Sequence, residues 1–525
     1  MRITNNMMLK NTMSNIYGNK QNVNTLNNQM SSQKKIVRPS EDPVIAIRAL
    51  RLRSNLSEIE QFYERNIPDA EAWLDVTETA LMNMESILSD VRTQCTYGAN
   101  GTLTIDDRDA ILKSLTQLRE QLYAEGNTDY AGRTVFTGYH TNKKLTFDSD
   151  ETNTSYQITQ TFTKADIEDE HRYYRGNAAI PTDTQLSEGT EPANVESMMC
   201  DRIRFAYNDI TDGSFELKFT DGTLNKDGAL EYQSLADMKT VDGEAVEIKY
   251  YENIDAWKNA RETNFETGLK DNEIIVIADT GEMLLGKDVS ATLDSKNYRL
   301  SVDYSKKGFA KGEVRPEYYF NCTDTTDELP ENHVKYTKYD EAGKEIKQDI
   351  NYTIAYNQTL TINTNASDVL SENAGRDVDE MMDAVQYAMD AHDKIDKIKA
   401  MMSLEEYSGE ESQQKLQKWL DTAQKEADFA DDNVKKLFNS YIKNFDSYLV
   451  DVNLAITTVG SKGQQLALTE NRMSTQQLTI TELKSKNEDR ELADIIIEYT
   501  SAYTAYEAAL QAAGKINQNT LLNFI

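Results

Sequence analysis

Near both ends of this chain, apolar residues recur at spacings of three and four, so long helices must lie against partners there. Leu9, Ile16, Val23 and Met30 fall every seven residues, with Leu26 at a second seam position. Val434, Phe438, Tyr441, Phe445, Tyr448, Val452, Ala455 and Val459 alternate four and three. Leu466, Met473 and Ile480 continue that stripe at sevens, and a last one runs through Leu492, Ile496, Tyr499, Tyr503, Tyr506, Leu510 and Ala513. A stripe of this period occupies one helix face, and one sustained over several heptads predicts coiled-coil packing.

Proline placement agrees. The seven prolines leave residues 69–180 and everything after Pro330 free of them, and a proline-free stretch permits long helices. Ile45, Ala49, Leu52, Leu56, Ile59 and Tyr63 predict a second helix, with Ser40 as its cap and Pro43 in its first turn. Pro68 is expected to interrupt. A third helix then carries Trp73, Thr77, Ala80, Met84, Ile87 and Val91, and after the Gly98–Gly101 break a fourth carries Ile111, Leu115, Leu118 and Leu122. A helix over 434–483 would run about 75 Å, with Gly460 and Gly463 predicting a bend or a close helix contact inside it.

Between about 140 and 370 the texture changes. Asp212-Gly213, Asp221-Gly222 and Asp242-Gly243 separate short β-rich runs: Ser214–Thr220, Glu247–Tyr251, Ile274–Ala278, Tyr298–Tyr304 and Asn351–Ile362. Of the 28 tyrosines, fifteen lie between Tyr156 and Tyr356, which suits a sheet better than a bundle. The fold class expected is therefore α+β: an elongated coiled-coil-like helical bundle formed by both termini, with an inserted β-rich outer domain. The expected divisions are an assembly helix over 1–40, a rod arm over 41–140, the outer domain over 141–370, a second arm over 371–488 and a second assembly helix over 489–525.

Chemistry is harder to find. No nucleotide-binding glycine loop, paired-cysteine metal motif or nucleophile elbow occurs. Cys95, Cys200 and Cys322 stand far apart and support neither a disulfide scaffold nor a zinc site. With only four histidines, the commonest general base is scarce. His392 falls on the stripe Met381, Val385, Ala388, His392, Ile395 and reads as a seam residue. His171, within Asp169-Glu170-His171, reads as a solvated loop or strand end. The stretch Asp221–Gly228 superficially resembles a calcium loop, but Ser234 stands where the bidentate glutamate belongs, so it reads as a hairpin turn. The residues predict no catalytic group, no cofactor and no metal. A formal charge of −32 argues against binding to nucleic acid or anionic membranes. The amino-terminal nine residues lack the apolar core of a cleavable signal peptide.

The terminal stripes carry the functional expectation. Two helices bury little surface by themselves, so neighbours in an array would complete them. Residues 1–60 hold nine Lys/Arg against four Asp/Glu, and 482–525 hold four against seven, a modest mutual attraction that salt would screen. The assembly contacts predicted are Leu9, Ile16, Val23, Met30, Leu492, Ile496, Tyr499, Tyr503, Tyr506 and Leu510.

The segment Leu26-Asn-Asn-Gln-Met-Ser-Ser-Gln-Lys-Lys-Ile-Val-Arg-Pro-Ser-Glu-Asp-Pro43 resembles the amino-terminal motif of the flagellin superfamily, and its ending resembles the hook-associated protein 3 branch. Asn127–Gly138, Asn357–Val369 and the carboxyl-terminal Glu507–Ile525 are similar to segments of the same branch. The resemblance covers roughly 1–140 and 350–525. It implies a structural, non-enzymatic component of the bacterial flagellum, joining hook to filament by helical self-assembly of its terminal segments. It further implies unfolded export with a dedicated chaperone, an extracellular location, and an adjoining hook-associated protein and flagellin as partners. It also implies that the two terminal helices order on assembly. The alternatives are a filament flagellin, or a glycan- or surface-binding protein displayed on the flagellum through its middle domain.

Overall fold

The computed structural model describes all residues except 1–4, 101–102, 212, 227, 262–264, 266–267 and 519–525. Gly101, Asp212, Asp227 and the last seven residues of the carboxyl-terminal motif therefore lie outside the described residues. In chain order the helices and strands are α1 (Asn5–Ser32), α2 (Pro43–Gln61), α3 (Ile67–Gly98), α4 (Ile105–Gly126), β1 (Asp129–Tyr130), β2 (Arg133–Thr134), β3 (Glu151–Phe162), β4 (Ile167–Arg175), α5 (Asp183–Glu188), β5 (Glu196–Arg204), β6 (Glu216–Thr220), β7 (Gln233–Ser234) and β8 (Glu247–Tyr251). There follow α6 (Ile254–Ala260), β9 (Glu273–Ile277), β10 (Glu282–Leu285), α7 (Lys287–Lys296), β11 (Arg299–Phe309), β12 (Asn321–Asp324), β13 (Val334–Tyr336), β14 (Asn351–Ala355), β15 (Gln358–Thr361), α8 (Asn373–Met402), α9 (Glu410–Glu488) and α10 (Leu492–Gln518). The protein is α+β, and the strands lie in the middle of the chain. No described helix is long and apolar enough to cross a membrane.

The chain divides into two compact units, one of residues 1–72, 351–360 and 463–525, the other of 73–350 and 361–462. In the first, Asp42 rather than Ser40 caps α2: its Oδ1 accepts from Val44 N at 2.9 Å and Ile45 N at 3.1 Å. Pro43 fixes the first helical position, which makes the residue just before it the cap. Pro68 does not interrupt the helix. A π-helical turn, Phe62–Asn66, joins α2 to α3, with Ile67 N donating to Phe62 O. The wider turn accommodates the hydrogen bond that proline cannot make.

In the second unit two sheets carry the strands other than the small β1-β2 pair. One runs β4-β5-β10-β9-β8, with β8 parallel to β9; the other runs β13-β12-β3-β11-β6-β7. The run Glu273–Ile277 is buried at every position and sits inside its sheet, as a strand covered on both faces must. Tyr173, Met198, Trp257, Phe265, Ile275, Ile277 and Leu284 form an apolar core, with Trp257 brought in by α6. All six stripe residues of α3 and all four of α4 are buried. α9 begins at Glu410, well before 434, because Leu416, Trp419, Ala423, Ala427 and Ala430 are buried along its first turns. A Cβ added at Gly460 or Gly463 would meet open space, so no close helix contact explains those glycines. The stretch after Asp221 is a hairpin turn, with Asn225 N donating to Ala229 O at 2.8 Å and Gly228 at φ +84°.

The two histidine readings need correction. On α8 the buried position is Ala391, between Ala388 and Ile395. His392 lies beside it and reaches Asp431, Nε2 to Oδ2 at 3.0 Å. His171 is not in a loop but within β4, and its side chain is mostly covered. A β-bulge between Glu168 and His171, with Glu170 at φ +55°, resets the alternation of β4, so Glu168 and His171 face the same side. There they meet β5's Arg202, Glu168 Oε2 at 2.7 Å and His171 Nε2 at 3.2 Å.

Candidate assembly interface

Nine of the 28 residues of α1 are asparagine, a weak helix former, so propensity alone leaves this helix marginal. Its support is α10, which lies antiparallel to it in the same unit: Gln33 O accepts from Arg490 N, and Ala505 O from Asn19 Nδ2. Leu26 is 5% exposed and Ile495 fully buried, so these two are the apolar anchors of the pair. Ile16, Val23, Met30, Tyr499 and Tyr506 are half-buried. Tyr499 stacks on Tyr503 with ring centroids 6.0 Å apart.

The remaining predicted contacts point elsewhere. Leu9, Leu492, Ile496, Tyr503 and Leu510 are exposed, and so are Met7, Met13, Tyr17 and Ile497, which heptad counting does not select. The helix pair thus has an inner seam and an outer apolar surface. On α10 the outer surface includes a shallow groove along Ile496, Ile497, Thr500, Thr504 and Ala508.

At the foot of the pair the motif quoted above acquires a physical meaning. Gln33 takes φ +52° and ends α1. Lys34 and Asp489 form an antiparallel bridge and an ion pair, while Lys35 N donates to Glu488 O at 2.8 Å. Gln29 Nε2 donates to Lys35 O at 2.7 Å, and Gln29 Oε1 accepts from Arg490 Nη1 at 2.6 Å. Val37 N donates to Glu41 Oε2 at 2.8 Å, and Asp42 starts α2. Arg53, from α2, completes this clasp by gripping Glu488, whose side chain is 4% exposed. Hydrogen bonds from Arg53, backed by its charge and that of Lys34, hold the Glu488 carboxyl below its usual range. Hydrogen bonds from Lys34 and Ser485 do the same for Asp489.

Sequence reasoning missed Arg53, Glu488, Asp489, Arg490 and Ile495. The signal for Glu488, Asp489 and Arg490 was their own run, a charged break between two apolar stripes, and nothing in the sequence singled out Arg53. Ile495 is one of three successive isoleucines, and periodicity selects Ile496 instead. Among the described residues no group of three or more His, Cys, Asp or Glu could hold a metal ion.

Residues 3–141 match the family model described as the bacterial flagellin N-terminal helical region. The flagellar hook-associated protein 3 of Salmonella typhimurium is 32% identical over 142 residues, which are 27% of this chain and 44% of that protein. The protein of the same name from Escherichia coli strain K12 is 31% identical with the same coverage. A flagellin of Clostridium tyrobutyricum is 28% identical over 128 residues, 24% of this chain and 34% of its own. The match thus spans less than half the length of each relative. A solved structure described as flagellar hook associated protein-3 from Legionella pneumophila aligns over 83% of this chain and 97% of its own at 12% identity, with a TM-score of 0.29. Helices α1 to α4 all lie within the residues that match the flagellin model, so this amino-terminal part of the chain is similar to the bacterial flagellin N-terminal helical region.

Proposed function

We propose that this protein is a structural component of the bacterial flagellum that joins hook to filament. In this reading it is not an enzyme, and it works outside the cell after export. The observation that carries the reading is the 32% identity over 142 residues to a protein named flagellar hook-associated protein 3. A physical feature supports it. The α1–α10 pair has an outer apolar surface that includes Leu9, Leu492, Ile496, Tyr503 and Leu510, as a helix pair awaiting neighbours would.

Further copies of this chain cover that surface in a helical ring, with an adjoining hook-associated protein on one side and flagellin on the other. A cytoplasmic chaperone covers it before export. The division into assembly helices over 1–40 and 489–525, rod arms over 41–140 and 371–488, and an outer domain over 141–370 belongs to the same proposal, as do the ten assembly contacts.

Deletion of the gene tests it, followed by electron microscopy of the cells and immunoblotting of the medium for flagellin. Bare hooks with unpolymerised flagellin in the medium are expected. Filaments that still form would overturn the junction role. A filament flagellin is the second reading, favoured by the match to the Clostridium tyrobutyricum flagellin. Seeded polymerisation separates the two, because a filament subunit extends into long tubes and a junction subunit does not.

A further inference from the structure

A dense cluster of buried charge lies in the second unit, where β4, β5 and β10 meet α8 and α9. Arg202 is 1% exposed and contacts Glu168 at 2.7 Å, Glu282 at 2.8 Å and Glu380 at 2.7 Å. Arg204 pairs with Asp377 and, at 2.8 Å, with Glu380. Tyrosine hydroxyls brace three of the four carboxylates: Tyr173 donates to Glu282 at 2.8 Å, Tyr441 to Glu380 at 2.5 Å and Tyr448 to Asp377 at 2.8 Å. Glu380 and Asp377 come from α8, the two arginines from β5. These bonds therefore fasten the sheet to the helices, and breaking one partner of such a buried pair leaves the other charge stranded.

His171 sits inside this cluster, and its protonation state follows from geometry. A guanidinium can only donate, so the 3.2 Å contact from Arg202 Nη1 requires a lone pair on His171 Nε2. The ring is therefore neutral. Around it stand Glu168 on its own strand, Arg202 and Arg204 on β5 and Glu380 on α8 at 3.6 Å, with Cys200 its cross-strand partner, while Glu282 on β10 and Tyr441 on α9 bond to the two arginines. The ring of Tyr173 packs edge-on against it. A cavity of about 1240 Å³, whose lining includes His171, Arg202, Arg204, Glu282 and Glu380, brings solvent to the site.

We propose that this cluster is an acid-released latch, in which His171 must leave Arg202 before it can take up a proton and, once protonated, cannot return to it. Latched, the five-stranded sheet is held on α8 and α9; released, it separates from them locally. Burial, and then the charge of Arg202, hold the histidine down at about 3, against the pull of Glu380 and Glu168. An unlatched histidine titrates near 6.5. The latched pKa is the lower one, so the latch is at full strength above about pH 6.5. It weakens about tenfold per pH unit as the pH falls towards the latched value.

The test is hydrogen exchange of the full chain between pH 7.5 and 4.5, corrected for intrinsic amide rates. Protection of residues 167–175 and 196–204 should fall about tenfold per pH unit below 6.5, and His171→Gln, which keeps an acceptor but cannot be charged, should flatten that slope. Unchanged protection in the wild type, or an unchanged slope in the variant, would overturn the latch. A readout independent of the variant is the ring signal of histidine-labelled wild type. His171 should stay neutral in the folded protein below pH 5, and a native-state titration near 6.5 would refute the proposal.

Discussion

Arg53 and Glu488 lie 435 positions apart and meet as a two-pronged ion pair, Nε to Oε1 at 2.8 Å and Nη2 to Oε2 at 2.5 Å. The glutamate is nearly covered while the arginine is more than half exposed. Water therefore screens one partner, and the pair is worth about 1 kcal/mol. Arg53→Ala should leave the helices intact but speed exchange of the Lys35 and Arg490 amides, which close the clasp, by about fivefold. Unaltered exchange at those two amides would remove Arg53 from the clasp.

The same clasp should respond to acid. Glu488 and Asp489 are both held below the ordinary carboxylate range by hydrogen bonds from cations, Arg53 and Lys34 respectively. A depressed folded value means the stabilisation is present above the ordinary range and is lost as pH falls through the depressed one. Protection of the Lys35 and Arg490 amides should be constant from neutrality to about pH 5 and decline below about pH 4. High salt should weaken it at neutral pH, because Lys34 and Arg53 are both substantially exposed.

On α10, adjacent isoleucines should behave in opposite ways. Ile496 is 46% exposed and Leu510 43%, whereas Ile495 is fully buried. Ile496→Asp and Leu510→Asp should keep the thermal transition of the isolated protein and abolish its incorporation into flagella. Ile495→Asp should instead unpair α1 from α10 in the isolated protein, seen as lost helical circular dichroism. Normal motility in the two surface variants would exclude that face from assembly.

Gly98 should not tolerate a side chain. A Cβ there would come within 2.3 Å and 2.5 Å of the ring of Phe438, which is itself fully buried. Overpacking of a core contact costs about 1–3 kcal/mol. Gly98→Ala should therefore lower the midpoint of chemical denaturation, and Phe438→Leu in the same chain should recover part of the loss.

The cysteines should be inert. Burial pushes the Cys95 and Cys200 thiols up to about 12, and Cys322 higher still. A thiol reagent at pH 8 should label none of the three in the folded protein and all three in denaturant.

The stripe of α3 was readable down to single residues. Every stripe position of α3 from Trp73 to Val91 is buried, because a local periodic pattern needs no knowledge of the partner. β8 was readable to the residue, Glu247–Tyr251. Other strands were not. β3 alternates threonines and glutamines with few apolar markers, and only its pairing with β11 and β12 makes Tyr156 and Ile158 interior. His171 was misread because a bulge shifts the strand's phase, and nothing at Asp169-Glu170 announces one. The clasp was hidden for a related reason. Its two halves are charged, unremarkable runs until the fold brings Lys34 to Asp489. At α10 the inner seam runs through Ile495, Tyr499 and Tyr506, so the predicted stripe meets it at the two tyrosines and departs from it at Ile496, where three consecutive isoleucines satisfy more than one register.

The asparagine-rich α1 also has a consequence in time. A helix of weak propensity whose anchor is Ile495 has no stable form until residues beyond 490 exist. Translation makes α1 long before its partner. On the ribosome α1 must therefore remain an open chain while the segments between the two are synthesised, within reach of any factor that recognises extended peptide. The interval between making α1 and folding it is set by the length of chain between Ser32 and Leu492, so the helix reports that synthesis has reached α10.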